Sequence, residues 1–141
     1  MKIYTTWYSA RVIPFRVQFR PGVSRYEQVV YSAKRAIVSG NLRRGDSFPS
    51  VRALSRELKI NPNIAQRIVA HLIESGLLEA RPGVGTIVAM LPEASAKERA
   101  ELLGREIEEL VVEAKRLRLE LQDIVSSVSD HWKRLEGSGK R

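Results

Sequence analysis

Apolar positions along this chain change their period several times, and each change marks a structural element. From Ile13 to Phe19 they alternate, with Phe15, Val17 and Phe19 on one side. That predicts a short strand, ended by Arg20-Pro21-Gly22. From Arg25 to Ser39 the period becomes helical, and Tyr26, Val29, Val30, Ala33 and Ile37 form one stripe. Ser24 is the expected N-cap, Glu27 completes a capping box, and Gly40-Asn41 is a C-terminal stop.

After the loop Leu42 to Pro49, Ser50 caps a second, short helix from Val51 to Leu58, with Val51, Leu54 and Leu58 on one face. Lys59-Ile60 turns the chain. Asn61 is the next N-cap, and Pro62 stands at the first helical position, where its missing N–H does no harm. This third helix runs to about Ser75, with Ala65, Ile68, Val69 and Leu72 facing inward, and Gly76 ends it. Leu77 to Arg81, Pro82-Gly83-Val84-Gly85 and Thr86 to Ala89 then read as strand, turn and strand.

Leu91-Pro92-Glu93 is a boundary. From Ala96 the pattern is helical again, with Gly104 as its weak point. Leu103, Ile107, Leu110, Ala114, Leu117, Leu121, Ile124 and Val128 follow one another at spacings of three and four. A narrow apolar seam flanked by charges belongs to a helix that needs a partner, so these residues are the expected dimerisation face. Trp132 and Leu135 extend the seam, and the end from Gly137 is expected to fray. The fold class is therefore mainly α with a small β-hairpin wing: an N-terminal extension (1–13), a winged helix-turn-helix domain (14–91) and a C-terminal helical dimerisation region (92–141).

Composition sharpens this picture. The chain has 141 residues, of which 43% are hydrophobic and 28% charged, enough for a packed core. It has no cysteine, which excludes disulfides and thiolate-metal sites and permits a cytoplasmic location. No apolar run reaches the roughly 18 residues of a membrane span, and the N-terminus lacks the pattern of a signal peptide. The net charge is +8. Residues 1–91 hold 14 Lys and Arg against 5 Asp and Glu, while residues 92–141 hold 10 against 11. All the positive excess lies in the front part, which suits a polyanion there.

Two helices joined by a tight turn, the second beginning with polar residues, suit a DNA major groove about 12 Å wide. Asn61, Asn63, Gln66 and Arg67 sit at or near the first turn of that second helix. Amides can pair with adenine, and a guanidinium with guanine or phosphate. The hairpin would reach the backbone or an adjacent groove with Arg81, Gly83 and Thr86. Enzyme readings have little to stand on: there is no Gly-rich phosphate loop before a helix, no nucleophile-base set and no metal cluster. His71 and His131 have no second ligand at metal spacing and are read as structural. Glu106, Glu108 and Glu109 are read as a solvated helix face. No cofactor is expected.

Residue identities go further. Tyr26-Glu27-Gln28-Val29-Val30, Ile37, Gly40, Leu42, Gly45-Asp46 and Phe48 to Ser55 resemble the DNA-binding domain of the GntR family of bacterial regulators. So do Asn61-Pro62-Asn63, Leu72, Glu74, Gly76-Leu77-Leu78 and Gly83 to Thr86. The short helical tail, with Ala114-Lys115-Arg116-Leu117, is similar to the YtrA subfamily, whose two-helix C-terminal region serves dimerisation. The resemblance implies that Arg52, in Pro-Ser-Val-Arg, contacts DNA from the second helix, and the cap Ser50 in the same segment is also an expected DNA-binding residue. It places Asn61, Pro62, Asn63 and Gln66 on recognition-helix contact positions and Gly83 at the wing tip.

Three departures stand out. Ile64 occupies a position usually held by a DNA-contacting threonine, so it either touches a thymine methyl or packs inward. Arg118 stands where the subfamily often breaks its tail with glycine, and Glu120 replaces the usual capping serine. The seam runs through that point uninterrupted, so periodicity allows one long helix, whereas the resemblance implies two. Tyr4, Trp7 and Tyr8 of the extension either stack on bases or pack elsewhere.

The expected function is sequence-specific binding of double-stranded DNA as a homodimer on a palindromic operator, as a repressor. The alternative is a protein-protein adaptor with a coiled-coil tail, against which the basic head argues. RNA binding ranks third. A small-molecule effector, if one binds, is expected between tail and head.

Overall fold

A computed structural model describes residues 13–137, so the aromatic residues Tyr4, Trp7 and Tyr8 and the last four residues lie outside the described part. The elements in order are α1 (Arg25–Val38), α2 (Val51–Leu58), α3 (Pro62–Glu74), β1 (Leu78–Arg81), β2 (Gly85–Val88), α4 (Ala96–Glu101), a π-helical turn (Leu102–Glu106), α5 (Ile107–Arg116) and α6 (Leu121–Gly137). Two compact units divide between Leu91 and Pro92.

In the first unit α2 and α3 pack on each other, α1 packs on α3, and α3 packs on β1. The core is the expected stripe residues: Val29, Ala33, Leu54, Ala65, Ile68 and Leu72 are fully buried. Ser24, Ser50 and Asn61 each cap their helix, accepting from the backbone N–H of Glu27, Ala53 and Asn63 respectively. Around Ser24 only the serine arm of the capping box forms. The adjacent turn is instead tied by the buried Gln28, whose Nε2 donates to the Val23 carbonyl at 3.0 Å and whose Oε1 accepts from the Arg20 N–H at 2.8 Å.

One expected strand is not a strand. Residues 13–19 alternate as predicted, with Ile13 and Phe15 buried and Val17 and Phe19 packed against the same core. They pair with no other strand among the described residues, however, and carry bends at Ile13 and Phe15 in place of regular strand structure. Alternation reports one buried face and says nothing about a ladder partner.

The hairpin pairs Leu78 with Val88 and Arg81 with Gly85 in antiparallel register. Its tip is a type II turn closed by the Val84 N–H to the Arg81 carbonyl at 3.0 Å. Pro82 takes the second turn position and Gly83 the third, where φ is 77°. The loop before α2 adds a third rung to β2. The Phe48 N–H donates to the Thr86 carbonyl, and Val88 and Asp46 pair nearby.

The second unit is wholly helical. Its first helix contains a π-helical turn around Gly104, the weak point of the pattern, and Ser95 and Glu98 form a complete capping box at its start. The tail is two helices rather than one. Arg118 adopts φ 59°, and the Arg118 and Leu119 N–H groups return to the Lys115 and Ala114 carbonyls at 3.0 and 2.9 Å. This is a Schellman stop built on arginine instead of glycine. The next helix starts at once, with the Asp123 carboxylate accepting from the Glu120 N–H at 2.8 Å. The uninterrupted 3-4 spacing arises because the stop falls between two seam residues, Leu117 and Leu121.

Candidate nucleic-acid interface

The turn between α2 and α3 is three residues long, Lys59 to Asn61. Lys59 carries a left-handed backbone at φ 54°, and the Ile60 N–H closes the turn on the Ser55 carbonyl at 3.2 Å. Ile60 is buried and anchors the turn from below. The sequence therefore sets the angle between the two helices with one strained, non-glycine residue and one apolar plug.

At about 100° per residue, Ala65, Ile68, Val69 and Leu72 occupy one side of α3, and Asn63, Gln66, Arg67 and Ala70 the other. Burial follows this division: the first four are buried and the second four exposed. Asn61 spends its Oδ1 on the cap, accepting from the Asn63 N–H at 2.7 Å, which leaves its two amide N–H groups for another partner on an exposed residue. Pro62 is exposed at the first helical position. Ile64 is half-buried and packs against the core.

On α2, Arg52 is exposed on the side opposite the buried Leu54. Ser50 uses its Oγ for the cap, accepting from the Ala53 N–H at 3.1 Å. In the wing, Gly83 is exposed, Thr86 half-buried, and Arg81 is exposed but bridged to Glu79 at 3.1 Å. Sequence reasoning passed over Val84, which stands at the hairpin tip and is 68% exposed. Its signal was its place between two glycines. The head thus presents a polar, cationic first turn of α3, flanked by an arginine on α2 and a hairpin tip. Such a surface can read base edges and hold phosphates.

In the tail, Leu103, Ile107, Leu110, Leu117, Leu121 and Val128 of the expected seam are exposed, Ile124 is half-buried and Ala114 is buried. The helices α5 and α6 make almost no contact with each other. No helix among the described residues is long and apolar enough to cross a membrane.

Comparison with known proteins agrees with this architecture. The profile of the family "Bacterial regulatory proteins, gntR family" matches residues 25–88, from the start of α1 to the end of β2. The chain is 29% identical to the HTH-type transcriptional regulator YhcF of Bacillus subtilis (strain 168), over 79% of this chain and 92% of that one. It is 26% identical to the HTH-type transcriptional repressor YtrA of the same organism, over 70% of this chain and 77% of that one. The crystal structure of a transcriptional antiterminator from Listeria monocytogenes EGD-e superposes with a TM-score of 0.76. It covers 86% of this chain and 92% of that chain at 22% identity, a likeness of fold. The family and these relatives are named as regulators, not as enzymes. Residues 25–88 are thus a helix-turn-helix domain of the gntR family of bacterial regulatory proteins, and the chain that carries it resembles the YtrA type of transcription regulator.

Proposed function

We propose that this protein is a sequence-specific DNA-binding transcription regulator that acts as a homodimer on a palindromic operator, as a repressor in the cytoplasm. The observation that carries the reading is the exposed face of α3. Asn63, Gln66 and Arg67 point away from the core at the start of a helix whose other face is fully buried. Among the described residues, that face meets the rest of the domain at its flank, where the Arg67 guanidinium carbon lies over the Tyr26 ring. On the more basic part of the chain, it suits a major groove. Arg52 on α2 and Gly83 with Val84 at the wing tip would meet the flanking backbone or the adjacent groove.

The dimer reading rests on the tail. A seam of leucine, isoleucine and valine that stays exposed along two helices exceeds what a solitary chain usually leaves open to water. A second copy carries the same seam and would cover it by two-fold symmetry. Two-fold symmetry would place two α3 helices on half-sites about one DNA turn apart. Repression needs no more than occupancy of a promoter, and the relative YtrA is named a repressor.

Duplex affinity measured over a range of salt, together with mass by sedimentation equilibrium, tests this reading. The expected result is a dimer whose affinity falls steeply with salt. A monomer, or a chain that ignores duplex DNA at low salt, would favour the adaptor reading instead.

A further inference from the structure

The first turn of α1 reaches the recognition helix and the turn before it through two adjacent residues. Tyr26 is half-buried against the core, and the Arg67 guanidinium carbon lies 4.8 Å from its ring centroid. His71, one turn further along α3, meets the same ring edge-on at a centroid distance of 6.0 Å. One residue earlier, the Arg25 guanidinium carbon lies 4.7 Å from the Phe19 ring centroid, and the side chain donates to the Lys59 carbonyl at 3.4 Å.

A guanidinium whose carbon sits over a ring still has N–H groups at its edge for another partner. The edge is the part that grips a phosphate with two parallel hydrogen bonds. An unsupported arginine on an exposed helix must give up rotamer freedom to make that grip. One already held over a ring has given it up before DNA arrives, so the contact costs less. The contact with Tyr26 places Arg67 on the flank of the exposed face that turns towards α1, while Gln66 lies on the opposite flank. A flank is where a helix in the major groove meets backbone rather than bases.

We propose that Tyr26 is a positioning residue for DNA binding: its ring holds the Arg67 guanidinium in place so that its N–H groups are presented to a backbone phosphate. This rests on the DNA reading above. Tyr26 itself touches no DNA, and its ring, not its hydroxyl, does the positioning.

The test is binding of the full-length protein to a fluorescein-labelled mixed-sequence DNA duplex across a salt series. Tyr26→Phe is expected to bind like wild type. Tyr26→Leu is expected to weaken binding about threefold and to flatten the salt slope by up to about one unit, as Arg67→Ala does. The double variant should be no weaker than Arg67→Ala alone. Arg67→Lys leaves the core untouched and keeps the charge. It should also lose about threefold, because an ammonium has neither a plane to stack nor a fork to present. Melting curves show whether Tyr26→Leu is folded; if it is not, the lysine variant decides. Wild-type binding by Tyr26→Leu or by Arg67→Lys, or additive losses in the double variant, overturns the proposal while leaving the DNA reading intact. A wild type that shows no salt-dependent duplex binding overturns both.

Discussion

The Phe48 N–H donates to the Thr86 carbonyl at 2.8 Å, which ties the loop that leads into α2 to the second strand of the wing. The same Phe48 ring is buried and stacks on Phe15 with centroids 5.7 Å apart. One residue therefore joins the N-terminal segment, the start of α2 and the hairpin. The wing should then belong to the cooperative unit of the head. Native-state hydrogen exchange is expected to give the Phe48 and Val88 amides the same opening free energy as Ile68 in the core. Phe48→Leu should lower all three together by about 1–2 kcal/mol. Earlier exchange at Phe48 and Val88 alone would mean that the wing opens by itself.

Arg118 is expected to be a point of stored strain. A side chain in the left-handed region costs about 1–2 kcal/mol, and a glycine there gives back up to about 1 kcal/mol through the more flexible unfolded chain. Arg118→Gly should leave the tail's two-helix form unchanged and stabilise it by about 1 kcal/mol or less, read from its thermal transition. A loss of stability would show that Arg118 does not adopt this conformation in solution.

Acid should weaken the start of the tail. The Glu98 carboxyl is held below the usual carboxylate range, first by its hydrogen bond to the Ser95 backbone and then by the Ser95 hydroxyl. A lowered value in the fold means that the ionised form is favoured there. Its contribution is present above the ordinary glutamate range and is lost as the pH falls through that range and below. Titration of Glu98 by carboxyl NMR should show the depression in wild type. Ser95→Ala should lessen it, because the hydroxyl contribution is gone while the backbone donor remains. An unchanged titration curve would rule out the capping-box account of this helix start.

Charge placed on the seam should separate the two copies. Leu110 is 40% exposed in the single chain, so Leu110→Glu asks little of the protomer itself. In a dimer it would bury an unpaired carboxylate, at a cost of several kcal/mol. Sedimentation should show the variant shifted to monomer with the melting of the head unchanged. A variant that stays dimeric would place the interface elsewhere than on this face.

Much of this molecule was legible from its residues. Ser24, Ser50 and Asn61 announced three helix starts, Gly40 and Gly76 two of the stops, and the inward faces followed from a 3.6-residue period. Such signals are local, and each is decided by neighbours within one or two turns. Long-range partners were not legible. Alternation at residues 13–19 looked the same for a paired strand and for irregular chain laid into a core. Nothing near Ser47 or Phe48 foretold their pairing with β2. The contact of Arg67 with the Tyr26 ring joins two helices 41 positions apart in numbering and leaves no mark on either stretch alone. The tail break was visible only through resemblance, since an arginine at position 118 argues locally for more helix.

The central claim, a two-fold regulator that reads sequence through α2 and α3, is tested most directly by selecting bound sequences from a random duplex pool with wild type and Arg52→Ala in parallel. Arg52 is exposed, so its removal should not disturb the fold. The account predicts an enriched, symmetric site for wild type, with half-sites about one helical turn apart, and its loss or a 10- to 100-fold weakening in Arg52→Ala, as expected for about 1.5–3 kcal/mol on losing the hydrogen bonds of a charged side chain to DNA. No enrichment with wild type, or an asymmetric site that Arg52→Ala binds equally well, would contradict it.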